Sequence, residues 1–154
     1  MSRAYHVLVQ LFYGRCELPK QSPVPDELDK PFWDACNEER LVVQSCNSCD
    51  KLQHPPQPTC NECGSADNLE WRQVSGRGTI YGYAVMYDCP VTELAVDQPF
   101  NIAVVQLEED SGINMLSHLP GTPVDEVPVG ANVQVEFEIT RATGQKVPEW
   151  RVVV

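Results

Sequence analysis

Basic side chains are scarce in this sequence. Its 154 residues include 11 Lys and Arg against 22 Asp and Glu, which gives a formal net charge of −11. Residues 73–154 alone carry four basic and eleven acidic side chains. Because contacts to phosphates supply most of the affinity of nucleic-acid-binding proteins and need a basic face, this balance disfavours nucleic acid as a partner.

Long hydrophobic runs are missing too. No segment approaches the ~20 consecutive apolar residues that a membrane-spanning helix needs. The first 13 residues have a basic start and an apolar middle, but His6 and Gln10 interrupt that middle and no small-residue cleavage site follows. We therefore expect a soluble, cytoplasmic protein with no membrane partner.

The sequence also lacks the motifs of common catalytic and nucleotide-binding sites. It contains no Gly-x-Ser-x-Gly elbow, no P-loop and no Gly-x-Gly-x-x-Gly turn. Of its three histidines, His118 lies at the end of a predicted strand, and the sequence assigns it no partner. By itself the chain is therefore predicted not to be an enzyme, and no catalytic residue is assigned.

What the sequence does have is seven cysteines, four of them in two Cys-x-x-Cys pairs. Cys46 and Cys49 form the first pair, Cys60 and Cys63 form the second, and ten residues separate the pairs. Two such turns can fold back and present four thiolates to one tetrahedral ion, at ~2.3 Å per Zn–S bond. Because all four ligands are cysteines, no coordination position is left for water or substrate. The pattern predicts a structural Zn²⁺ bound by these four residues.

Two other chemistries remain open for the same cysteines. A rubredoxin-like iron site uses four sulfurs in this arrangement. Two disulfides would use them as well, although the odd cysteine total and the missing secretory signal favour a reducing compartment. The three other thiols are interpreted as packing residues: Cys16, Cys36 and Cys89.

Residues 1–30 are predicted to form an N-terminal arm and linker. Alternate residues from Tyr5 to Tyr13 are apolar or aromatic, which is typical of a strand or of an arm that binds a partner. A polar, proline-rich stretch follows over residues 16–31.

Residues 31–74 are predicted to form a helix plus the zinc ribbon. The helix runs from about Pro31 to Arg40, with proline at its first position. Residues 41–45 form the strand that enters the first cysteine pair, and residues 69–74 form the strand that leaves the second. Phe32 and Trp33 have two interpretations: they pack on the ribbon, or they anchor a partner protein.

Residues 75–154 are predicted to form a five-stranded OB-fold barrel. Five β-rich segments with glycine-marked turns suit a small closed antiparallel barrel. Apolar and polar residues alternate along the fourth of the five segments, residues 133–139, so that Val133, Val135, Phe137 and Ile139 should face inward. The five segments are Gly76–Tyr87, Pro99–Leu107, Ile113–Leu119, Val133–Ile139 and Val147–Val154. The predicted fold is therefore mainly β, with one short N-terminal helix, a rubredoxin-like zinc ribbon and this barrel.

The ordered set of motifs resembles a family of acyl-CoA-associated proteins with an N-terminal helix, a rubredoxin-like zinc ribbon and a C-terminal OB-fold. The resemblance covers roughly residues 30–154, while residues 1–30 and much of the tail after residue 139 depart from the usual pattern. It rests on Pro31–Trp33, Arg40–Cys46, the two cysteine pairs, Pro55–Pro56, Leu69–Trp71, Val74–Tyr81, Pro99–Leu107 and Pro128–Val133.

Members of this family look like non-catalytic accessory subunits of thiolase-superfamily enzymes. The resemblance implies a thiolase-fold catalytic partner in a hetero-oligomer. That partner would carry out thiolytic cleavage of a β-ketoacyl-CoA or retro-aldol cleavage of a β-hydroxyacyl-CoA, and an aromatic or steroid-derived acyl group suits either reaction. The accessory chain would assist assembly and the binding of CoA or acyl-CoA.

Two pairs of residues take roles in this interpretation. Phe32 and Trp33 would dock on the catalytic partner. Arg77 and Arg151, as scarce cations of an acidic barrel, would contact the CoA phosphates. The alternative is a free-standing OB-fold module that binds a ligand or single-stranded nucleic acid.

Overall fold

The computed structural model describes residues 22–92, 94–95 and 97–153. The strand predicted within residues 5–13, and Cys16, lie outside this range. The described elements, in chain order, are α1 (Lys30–Asn37), β1 (Val42–Cys46), β2 (Leu52–Gln53), β3 (Leu69–Gln73), β4 (Arg77–Met86), β5 (Phe100–Leu107), β6 (Asn114–Ser117), β7 (Asn132–Ile139) and β8 (Lys146–Val152). The described elements include no helix long and apolar enough to cross a membrane.

The helix begins where its proline predicts and ends earlier than expected. Pro31 occupies the first turn of α1, where its missing N–H costs no hydrogen bond. The helix ends at Asn37, and Glu39 takes a left-handed conformation at φ 59° that breaks the helical path before Arg40.

The ribbon is a small antiparallel sheet with strand order β2-β1-β3. Strands β1 and β3 match the predicted segments closely. The two-residue strand β2 was not predicted, since prolines dominate the stretch between the cysteine pairs. It forms because Leu52 and Gln53 precede those prolines and pair with Ser45 and Gln44.

The five remaining strands form a single antiparallel sheet with order β6-β5-β4-β7-β8, which confirms the OB-fold prediction. The sheet nearly closes between its edge strands, β6 and β8. At this seam Ser117 Oγ accepts the backbone N–H of Trp150 at 2.9 Å and donates to Glu149 Oε2 at 2.7 Å. One side chain therefore replaces the strand-to-strand hydrogen bonds missing there.

Gly76, just before β4, and two residues of β7 show how far the packed interior of the barrel extends. Gly76 has φ 73°, and a Cβ there would lie 2.2 Å from Val135 Cγ1, so this entry to β4 needs glycine. On β7, Val133 is buried as predicted, but Ile139 is 64% exposed. The inward prediction for Ile139 was wrong because the residue lies at the strand end, beyond the packed interior.

Helix, ribbon and barrel share one hydrophobic core. Phe32 of α1 and Val43 of β1 belong to the same buried cluster as Val105 and Trp150 of the barrel. The loop before β8 ties the helix to the barrel, since Gln145 Nε2 donates to the carbonyl of Trp33 at 3.0 Å. The boundary predicted between residues 74 and 75 divides the sequence, but the core runs across it.

Candidate functional site: metal centre and junction cavity

The four cysteines of the two pairs converge at one end of the ribbon. Their sulfur atoms all lie within 4.8 Å of one another. The Sγ atoms of Cys46 and Cys63 are 3.6 Å apart, as are those of Cys49 and Cys60. A tetrahedron with Zn–S bonds of ~2.3 Å has S···S edges of about 3.8 Å, so this donor set fits zinc. A zinc ion bound here would serve a structural purpose, because the four thiolates fill its coordination shell.

The two cysteine turns have the same backbone design. In each, the residue after the second cysteine donates its N–H to the carbonyl of the first: Asp50 to Cys46 at 2.7 Å and Gly64 to Cys60 at 2.9 Å. Both donors have positive φ, 56° for Asp50 and 74° for Gly64. Glycine adopts this conformation freely and aspartate tolerates it better than most residues. The sequence thus encodes both turns locally.

The backbone also favours the thiolate form of one ligand. N–H groups of Cys63 and then Glu62 point at the sulfur of Cys60 and lower the pKa of its thiol to about 6. Since the thiolate is the form that binds metal, this geometry prepares the site for a cation. At Cys49 the backbone N–H of Lys51 is outweighed by burial and by the neighbouring thiols, which raise the pKa of this thiol to about 12, so a bound cation would be needed to hold all four sulfurs as thiolates.

Two buried glutamines, which were not predicted from the sequence, hold the second cysteine turn in place. Gln53 Nε2 donates to Gln44 Oε1 at 2.8 Å, and Gln53 Oε1 accepts the N–H of Asn61 at 2.9 Å. Gln44 Oε1 also accepts the N–H of Gln57 at 2.7 Å. The signal available in the sequence was a glutamine within the apolar run that forms β1, where a buried amide requires partners.

The described thiols outside the metal centre are packing residues. Cys36 is fully buried, and burial raises the pKa of its thiol to about 12. Cys89 is buried too, in the loop between β4 and β5. A thiol held protonated in the core is a poor nucleophile, which confirms the packing interpretation of Cys36.

His118 has a partner that the sequence could not assign. Its Nδ1 lies 3.0 Å from Glu149 Oε1, and the other carboxylate oxygen accepts the hydroxyl of Ser117. The three residues do not form a nucleophilic triad, because the serine bonds to the carboxylate and its oxygen also accepts the N–H groups of Leu119 and Trp150. The cluster closes the barrel seam.

The two arginines predicted to contact CoA lie on one row of the barrel. Arg77 on β4 pairs with Gln134 on β7, which pairs with Arg151 on β8, so all three side chains leave the same face of the sheet. Both guanidinium groups are exposed and already paired: Arg77 with Glu108, and Arg151 with Glu136 at 2.8 Å. A phosphate at this row would compete with those carboxylates.

Phe32 and Trp33 lie at the junction of helix, ribbon and barrel. Phe32 is only 5% exposed, so it packs inside the chain, whereas Trp33 is half-buried. Their rings meet edge to face with centroids 4.8 Å apart. The indole N–H of Trp33 donates to Asp29 Oδ2 at 3.0 Å, which fixes the orientation of the ring.

A cavity of about 300 Å³ opens beside these two aromatics. Helix α1, the loop after β2 and strands β6 and β8 contribute to it, and most of its lining is apolar. The lining includes Trp33, His54, Pro55, Leu116 and Pro148. Burial lowers the pKa of His54, so its imidazole favours the neutral form. The sequence pointed to Trp33 but not to the cavity, which exists only where four distant segments meet.

Comparison with known proteins agrees with this architecture. The rubredoxin-like zinc ribbon domain of ChsH2 matches residues 33–70, and the C-terminal OB-fold domain of ChsH2 matches residues 71–138. A chain of the solved Ltp2-ChsH2(DUF35) aldolase superimposes with a TM-score of 0.74 at 28% identity, covering 86% of this chain and all of that one. A solved DUF35-family protein of unknown function from Sulfolobus solfataricus shares the fold, with a TM-score of 0.57 at 16% identity, covering 98% of this chain and 97% of that one.

Two curated proteins are similar in sequence. A probable enoyl-CoA hydratase alpha subunit from Thermomonospora curvata is 36% identical over 71% of this chain, and this chain spans about a third, 33%, of its length. A DUF35 domain-containing scaffold protein from Methanocaldococcus jannaschii is 25% identical over 68% of this chain and 72% of its own. The two ChsH2 domains match consecutively and in the order that the fold shows. The chain thus belongs to the ChsH2 (DUF35) family of proteins, in which a rubredoxin-like zinc ribbon precedes an OB-fold.

Proposed function

We propose that this chain is a non-catalytic accessory subunit of an acyl-CoA-processing complex whose catalytic subunit has the thiolase fold. The reaction of the complex would be thiolytic cleavage of a β-ketoacyl-CoA or retro-aldol cleavage of a β-hydroxyacyl-CoA. The observation that carries the proposal is the likeness along most of the chain to a chain of the Ltp2-ChsH2(DUF35) aldolase.

The chemistry of the described residues supports an accessory role. The four clustered cysteines suit a structural ion, and Cys36 is held protonated by burial. His118 and Glu149 are engaged at the barrel seam. Among residues 22–92, 94–95 and 97–153 we find no nucleophile next to a free general base, as acyl transfer would need.

The names of the relatives point in the same direction. One is a probable enoyl-CoA hydratase alpha subunit and another is a DUF35 domain-containing scaffold protein. Both descriptions suit a module that works beside another chain, and the first associates it with a CoA thioester. The rigid ribbon and the shared core give such a module a fixed shape on which a partner can assemble.

The row formed by Arg77 and Arg151 is the proposed contact for CoA phosphates. Two guanidinium groups on one sheet face can bind a phosphate by bidentate hydrogen bonds once it displaces Glu108 and Glu136. Replacing both arginines with alanine should weaken CoA binding by the assembled complex. Unchanged CoA affinity in that double variant would remove this assignment and leave the accessory role intact.

Co-expression tests the accessory role. The chain is produced together with the thiolase-superfamily protein encoded nearest to its gene, and the products are separated by size-exclusion chromatography with mass determination. We expect a stable hetero-oligomer, CoA-thioester cleavage by the complex, and no cleavage by this chain alone. Separate elution of the two proteins, or cleavage by this chain alone, would contradict the proposal.

A further inference from the structure

Part of the outer face of strands β4, β5 and β6 is apolar, and the polar residues Gln106 and Asn114 lie at one end of it. The pairing registers place alternate residues of the three strands on this side of the sheet, while Ala103, Val105 and Met115 point into the core. We call this surface the outer apolar face. Its members are Ala84, Met86, Phe100, Ile102, Val104 and Leu116, all partly or fully exposed. None of the six is charged, and a contiguous patch of this kind is typical of an interaction site.

The outer apolar face continues into the junction cavity. Leu116 belongs to both, since it is 65% exposed on β6 and also lines the cavity beside Trp33. An apolar face that ends in a pocket suits a protein partner, because protein interfaces concentrate their binding energy where a large side chain fills a pocket. A small ligand would fill the cavity and leave the face exposed to water.

The acidic charge of the chain indicates which kind of partner would bind the outer apolar face and the junction cavity. The described residues include eight Lys and Arg, against 20 Asp and Glu. At least seven of those eight form ion pairs with carboxylates of this chain. Asp29 lines the cavity, and Asp88 follows the end of β4. A polyanion such as CoA would be repelled here, whereas a cationic protein surface would be attracted.

We infer that the outer apolar face and the junction cavity together form the docking surface for the catalytic subunit. The inference rests on the proposed function and specifies its interface. The partner presents a large apolar or aromatic side chain that enters the cavity beside Trp33, and lysine or arginine residues around that side chain face the acidic surroundings. The arginine row on β4, β7 and β8 belongs to a different part of the barrel.

Two matched substitutions test the surface in the co-expressed complex. Leu116→Arg places a cation on the docking surface, where it removes apolar contact and repels the partner. Ile139→Arg makes the same change at the end of β7, at 64% exposure against 65% for Leu116. We expect the first to weaken association roughly 100-fold or more and the second to change it less than about threefold. Both residues are exposed, so neither substitution should unfold the chain, and the melting temperature of each variant checks that the fold is retained.

A milder variant and salt complete the experiment. Leu116→Gln removes the apolar contact without adding charge, and we expect about a tenfold loss of affinity. Sodium chloride should weaken the wild-type complex, since charge attraction at exposed sites is screened. If Leu116 variants bind like Ile139→Arg, the inference is overturned while the proposed function stands. If they abolish only self-association of this chain, the face serves a second copy and the inference also falls. If the wild-type chain forms no complex, the proposed function fails and the inference with it.

Discussion

The substitution Gln53→Leu tests whether the buried amides position the metal centre. Leucine has a similar volume but cannot replace any of the three hydrogen bonds of the glutamine side chain. Those bonds join Gln53 to Gln44 Oε1, the carbonyl of Thr59 and the N–H of Asn61, at 2.8, 3.2 and 2.9 Å. Because Asn61 directly follows the ligand Cys60, the interactions that hold this loop also hold the second cysteine pair against the first.

The free energy that Gln53→Leu should cost follows from the number of hydrogen bonds lost and from the exposure of their partners. Each contributes about 1 kcal/mol net, or about 3 kcal/mol together. Thr59 and Asn61 are exposed, so water compensates for part of the loss, and we expect about 2 kcal/mol. If the substitution destabilises only the metal-bound form of the ribbon by this amount, zinc affinity decreases about 30-fold.

Competition with a zinc-binding dye measures the affinity, and the absorption spectrum of the Co²⁺-substituted protein reports the geometry of the four sulfurs. Gln57→Leu is the matched control, since Gln57 joins the network through its backbone N–H. We expect that control to bind zinc within about threefold of wild type. Equal zinc affinity in Gln53→Leu and wild type would refute the positioning argument.

The remaining predictions concern the barrel seam, pH and the metal. Ser117→Ala leaves the buried N–H groups of Leu119 and Trp150 without their acceptor, and urea unfolding should show a loss of about 2–4 kcal/mol; a loss no larger than that of the exposed control Ser111→Ala would contradict this. Burial lowers the pKa of His54 below 6.5 in the folded chain, so the unfolded chain is protonated first as the pH falls. The stability that neutral His54 contributes above pH 6.5 is therefore lost as the pH falls below that value. The unfolding free energy should therefore fall more between pH 7.5 and 5.5 in wild type than in His54→Gln, and equal falls would exclude this effect. Removing zinc with a chelator should lower the melting temperature of barrel and ribbon together, because they share a core; a barrel transition that does not move would show that the two unfold independently.

Several parts of this protein could be predicted because they depend on residues close together in the chain. The spacing of Cys46, Cys49, Cys60 and Cys63 indicates the metal site, and both turns close through hydrogen bonds between residues four apart. Pro31 marks the start of α1, and alternation along residues 132–139 indicates β7. Where the local rule failed, as at Ile139, the strand pattern was correct but the end of the barrel could not be located from it.

The sequence by itself therefore determined the four clustered cysteines, the order of the five barrel strands along the chain and the acidic charge. Only the tertiary structure decided which residues meet across long stretches of sequence. It joined His118 to Glu149, placed Arg77 and Arg151 on one row, and brought Trp33 and Leu116 to the same cavity. These encounters depend on strand register and on the packing of α1 against the barrel, and neither is encoded in the period of any single segment.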